Sequence, residues 1–161
     1  MKKLNLMLAG LLAFTLFACG SPEPKALVKD GYAALGAGDS VKALANFNAA
    51  LADLKPENGL YLDAKMGVVE ALMPNSPKEA VAEFLVLAKA FPAKIGEKQF
   101  INTSGKMVSA GQFSDAVDLV HQGIQMAGGE SPTLMAMIER IKKEGASDKG
   151  AIDKLQGLGY M

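Results

Sequence analysis

The stretch AVAEFLVLAKAFP, residues 80–92, decides how the rest of the chain reads. Ala80, Phe84 and Leu87 stand at i, i+4 and i+7, which places them along one side of an α-helix. Ahead of them SPKE (76–79) supplies a start signal: Ser76 as cap, Pro77 at the first helical position and Glu79 where a capping box needs it. Pro92 stops the helix. One small residue followed a turn later by a large one suits close packing against a second helix and then a third.

The same pattern recurs along the chain. Ala43 is followed by Phe47 and Ala50, Ala116 by Val120 and Gly123, and Ala151 by Leu155 and Leu158. Successive alanines are 37, 36 and 35 residues apart, a period in the range of stacked helical repeats. Five residues before three of these alanines stand Gly38, Asn75 and Gly111, which tolerate a left-handed backbone and predict a tight turn between two helices. Ala146, beside Gly145, holds that place in the fourth unit. Asp39, Ser131 and Ser147 are further expected caps. No segment shows the period-2 alternation of a strand. The spacing predicts eight helices, over 25–36, 40–54, 59–73, 77–90, 94–109, 113–127, 132–144 and 148–157.

This layout resembles the tetratricopeptide repeat, whose second helix carries small–x3–aromatic–x2–small with a proline a few residues on. ALANFNAALADLKP (43–56) and AVAEFLVLAKAFP keep that pattern. The third unit has Val120 in the aromatic place, and AIDKLQGL (151–158) departs furthest. Gly31 and Ser104 match the small position of the family's first helix; Val68 and Glu139 do not. The resemblance implies an all-α, right-handed superhelical solenoid of about four helix-turn-helix repeats: 25–57, 58–92, 93–129 and 130–161. End units of such stacks are atypical. The last helix is therefore expected to be a cap, with Leu155, Leu158 and Tyr160 closing the stack.

Residues 1–18 read differently. MKK is followed by the apolar run Leu4–Ala18, shorter than the roughly 20 residues of a membrane span. Those features describe a secretory signal peptide. At its end LFACG holds Cys19, the one cysteine in the chain, and resembles the bacterial lipobox, although Phe17 is bulkier than the usual residue there. That resemblance implies acylation of Cys19, a short tether over 19–24, and a domain from 25 to 161. Ser21, with no Asp after the cysteine and glycine, points to an outer-membrane lipoprotein facing the periplasm. More than one acyl chain is needed for stable anchoring.

Seventeen basic residues balance 17 acidic ones, so nothing marks a nucleic-acid binder. Without Lys2 and Lys3 the count becomes 15 against 17. No cofactor and no metal site are expected, because one Cys and one His supply too few ligands. Ser114, Asp118 and His121 fall at helical spacing. With no oxyanion or phosphate loop nearby, they read as a solvated helix face rather than a catalytic triad. Met107, Met126, Met135 and Met137 leave a second reading, a small-ligand or metal-handling lipoprotein using its Met-rich C-terminal half. Core filling is the plainer reading.

The resemblance further implies that the first helix of each pair lines a concave, partner-binding face. Counting back from the repeat alanines places Tyr32, Lys65, Val69, Met73, Lys98, Ile101, Arg140 and Lys143 on it, an apolar surface with a line of basic residues. The expected function is a non-enzymatic protein–protein interaction scaffold in cell-envelope assembly or secretion, similar to pilotins and assembly factors. Its expected partner is a peptide or helix segment carrying acidic residues.

Overall fold

A computed structural model of the chain describes residues 22–161. The expected signal peptide and Cys19 lie outside the described residues. Eight helices follow in order: α1 Pro24–Gly36, α2 Ser40–Asp53, α3 Gly59–Leu72, α4 Pro77–Ala90, α5 Glu97–Ser109, α6 Phe113–Met126, α7 Pro132–Glu144 and α8 Lys149–Gly157. There is no strand among the described residues. No helix among them is long and apolar enough to cross a membrane.

Seven of the eight helices match the predicted spans closely. The exception is α5, which starts at Glu97 rather than 94. Lys94 and Ile95 instead close a turn onto the Phe91 carbonyl, and extended Gly96 precedes the helix, its N–H donating to Gln99 Oε1 at 3.1 Å. Ile95 is drawn into the core. At the other end, Pro24, expected in the tether, is already the first residue of α1. Proline at a first helical position loses no hydrogen bond there.

Local chemistry explains the turns. Gly38 has φ 77° and Gly111 φ 74°. At each, the next residue's N–H reaches back five residues: Asp39 to the Ala34 carbonyl and Gln112 to that of Met107, both at 2.9 Å. This Schellman closure needs a left-handed residue, which glycine supplies without strain. Asn75 does not adopt it, since every described non-glycine residue has negative φ. Its side chain instead crosses to the preceding hairpin, Nδ2 donating to Ser40 Oγ at 3.1 Å.

Asp39 and Ser131 cap as expected, accepting from Lys42 N and Leu134 N. The expected Ser76 capping box does not form. Ser76 makes no side-chain cap bond, and its ψ of 59° turns it away from the extended backbone that capping favours. Asp148, not Ser147, caps α8 by accepting from Ala151 N at 2.8 Å.

The repeat residues form the core. Ala43, Ala80, Ala116 and Ala151 are fully buried, as are Phe47, Phe84 and Val120, and Leu155 is almost so. Phe47 is held between two glycines of neighbouring helices. A Cβ at Gly31 on α1 would lie 2.6 Å from its ring, and one at Gly67 on α3 only 2.4 Å away. So the small residue of α3 is Gly67, one place before the Val68 that the repeat alignment had indicated.

Helix α3 divides the interior. Ala64, Val68 and Ala71 face the α1–α2 side, whereas Val69 and Met73 face the larger cluster that runs to α8. Between the second and third hairpins α4 rests on α6, and the α4 and α5 backbones stay apart. Phe84 and Phe100 meet edge to face across that space, their ring centroids 4.9 Å apart. The last hairpin packs on the third, with Ala151 and Leu155 buried and Tyr160 packed against the same cluster, while Leu158 stays 38% exposed.

Candidate functional site: the α3–α5–α7 face

Helix α5 packs against α7 and is linked to α3 through side chains, and a groove lies on each side of it. One, of about 270 Å³, is lined by Met66 and Glu70 of α3 and Gln99, Asn102, Thr103 and Lys106 of α5. The next, of about 450 Å³, is lined by Ile101, Asn102, Gly105, Lys106 and Ser109 of α5 with Met137 and Arg140 of α7. Asn102 and Lys106 belong to both, so they form the α5 crest of a lane of two adjacent grooves that spans three hairpins.

The spacing has a simple origin. Met66 and Asn102 each stand fourteen residues before the alanine of their unit, and Glu70 and Lys106 each stand ten before it. Equivalent positions in successive hairpins thus carry opposite charges, and they pair across the first groove: Lys106 Nζ lies 2.5 Å from Glu70 Oε1. In the second groove the Arg140 Nη1 atom lies 3.5 Å from where a Cβ on Gly105 would sit, so its guanidinium rests against bare α5 backbone. Glu144, one turn on, accepts from Arg140 Nε at 2.8 Å. That hydrogen bond holds the Glu144 carboxyl below the usual carboxylate range and the guanidinium above its own.

The residues expected on this face divide into three groups. Ile101 and Arg140 line the lane. Tyr32 lies on α1, 39% exposed, its hydroxyl donating to the Asp63 carbonyl at 2.8 Å and its ring edge-on to Phe47. Burial, followed by the Glu70 and Asp63 carboxylates, pushes its hydroxyl up to about 12. Lys98 and Lys143 are exposed on α5 and α7 and make no ion pair among the described residues.

Val69 and Met73 are core residues, and Lys65 is spent on Glu83 within its own hairpin at 2.6 Å. On α3 the expected face was one residue out of register. A step of one residue turns a helix by about 100°, enough to exchange a groove position for a core position. Met66, Glu70, Asn102, Gly105 and Lys106 were therefore missed. The opposite charges of Glu70 and Lys106, each ten places before the alanine of its unit, were the available signal.

The triad-spaced residues of α6 serve packing. They form the seat of the last hairpin, and are half-buried beneath it rather than solvated. Lys154 of α8 pairs with Asp118 and donates to the Ser114 carbonyl, while His121 Nδ1 lies 2.9 Å from Tyr160 Oη. Burial raises the Tyr160 hydroxyl above its ordinary value.

The methionines do not gather. Met107 and Met137 are buried, whereas Met126 lines a separate cleft beside Pro92, Ile95 and Phe100. Among the described residues no three His, Cys, Asp or Glu side chains group as a metal site.

No family model, curated protein or solved structure matches the chain.

Proposed function

We propose that this chain is a non-enzymatic scaffold of the bacterial cell envelope. In this reading its hairpins wind as a tetratricopeptide-like right-handed superhelix, and Cys19 fastens it by acyl chains to the outer membrane, facing the periplasm. The α3–α5–α7 face then receives a peptide or helix segment of a partner protein during envelope assembly or secretion.

The observation that carries this reading is the lane of two adjacent grooves that flank α5 between successive hairpins. Half-buried Met66 is a flexible apolar contact that adapts to varied side chains, and exposed Asn102 offers both a donor and an acceptor to a docked backbone. A surface of that kind suits holding a segment better than transforming one.

A photo-crosslinking residue at position 102 tests it, with position 86 as control. Val86 is 60% exposed on α4 and lines neither groove. In intact cells, discrete protein adducts are expected at 102 and not at 86. Equal labelling at both, or none, overturns the binding reading. Fractionation of Cys19→Ala tests the anchor separately. Release of an unprocessed or soluble protein is expected, and a variant that is processed normally and stays in the membrane overturns lipidation.

A further inference from the structure

The two cations in the lane are not idle: each is already held by a carboxylate of the chain itself. We propose that Lys106 and Arg140 together read an acidic polypeptide segment, and that Glu70 and Glu144 are resident counter-ions displaced when that segment docks. This rests on the peptide-binding reading above and names the partner's chemistry and the groups that regulate its entry.

Charge complementarity selects the occupant. Lys98, Asn102 and Lys106 follow one another at i, i+4 and i+8 along α5, and Arg140 and Lys143 stand one turn apart on α7, so Lys98 and Lys143 extend along their helices the charge of the two lining cations. Glu70 and Glu144 pair with the two lining cations. The chain beyond Lys3 carries 15 basic against 17 acidic residues, so a positive strip lies on a slightly acidic molecule. Such a strip attracts an acidic segment and orients its approach.

The geometry favours exchange over a fixed structural bridge. The side chains of Lys106, Arg140 and Glu144 are 52%, 42% and 43% exposed and that of Glu70 is 26% exposed, so every partner still reaches solvent when its pair opens, Glu70 least. The Arg140–Glu144 contact is chiefly the single short bond from Nε, since Nη2 is 3.5 Å from Glu144 Oε2. An incoming carboxylate facing the outer edge of the guanidinium can make the bidentate contact that Glu144 does not. Gly105 lets the Arg140 guanidinium lie close against α5, which holds the cation low in the groove.

The test uses residues 19–161 with Cys19 replaced by Ser, and a positional-scanning library of fluorescein-labelled decapeptides as the probe. Wild type is expected to select peptides with Asp or Glu at two positions. For the best of these, Lys106→Gln and Arg140→Gln each weaken binding about tenfold or more, with unchanged circular dichroism. Glu70→Gln and Glu144→Gln each tighten it about two- to fivefold, the factor that removal of a surface counter-ion supports. Selected peptides without acidic enrichment overturn this inference and leave peptide binding standing. So does weakening in Glu70→Gln equal to that in Lys106→Gln, because that pair would then be structural. A wild-type domain that retains no peptide overturns the peptide-binding reading itself.

Discussion

Glycine stands both at a tight helix contact, Gly67, and at a looser groove position, Gly105, and the two places predict opposite responses to one methyl group. An alanine in a helix interior is worth about 0.5–1 kcal/mol over glycine. At Gly67 the new Cβ would lie 2.4 Å from two carbons of a ring with no exposed surface, so the ring cannot move away. Overpacking of that kind costs about 1–3 kcal/mol, which outweighs the helix gain. Gly67→Ala is expected to lower the urea midpoint. Gly105→Ala is expected to raise it, because its Cβ would meet Arg140 at 3.5 Å and Met137 at 3.8 Å, ordinary contact distances.

Tyr32 gives a pH-dependent counterpart. Its folded-state value is raised, so the stability it contributes is whole below the ordinary tyrosine value and is lost as pH rises from about 10 towards about 12. Tyr160 shifts in the same direction. Tyr32→Phe should flatten that part of the stability profile, as read by denaturant melts at stepped alkaline pH.

At the scale of the element, helix existence and order were legible because they depend on neighbours three and four residues apart. Helix starts were less so. Both Ser76 and Ser131 precede a proline, and the two motifs look alike as sequence, yet only Ser131 caps. The difference lies in the incoming chain. A serine at ψ 104° can face the first turn, and one at ψ 59° does not. Ser131→Ala is therefore expected to cost about 1 kcal/mol, the usual worth of a cap. Ser76→Ala should stay within about 0.5 kcal/mol, as for a surface substitution away from such features. Thermal melts of the two variants under one condition decide the comparison. Asn75 was read as a turn-former for its tolerance of left-handed backbone, but its role is the bond to Ser40 across 35 residues, which no local rule contains.

For the whole molecule, stability depends on each hairpin covering the next, since no pair of helices buries its apolar side alone. Removal of residues 148–161 takes away Ala151, Leu155, Tyr160 and the Lys154 bond to Asp118 together. It uncovers the apolar side of α6 and α7 on which α8 packs. A lower melting temperature and concentration-dependent aggregation are expected by light scattering; unchanged values would show that α8 is not a cap.

Sequence alone determined the eight helices, the four alanines with their large partners, and the hairpin order. All follow from helical periodicity and from turn chemistry within a few residues. Tertiary structure decided which flank of each helix remains open. It made Val69 core and Glu70 groove, put Gly67 rather than Val68 against Phe47, and brought Lys106 to Glu70 over 36 residues. The reason is rotational: one residue turns a helix by about 100°, and only packing against the neighbouring hairpins on both sides fixes that angle.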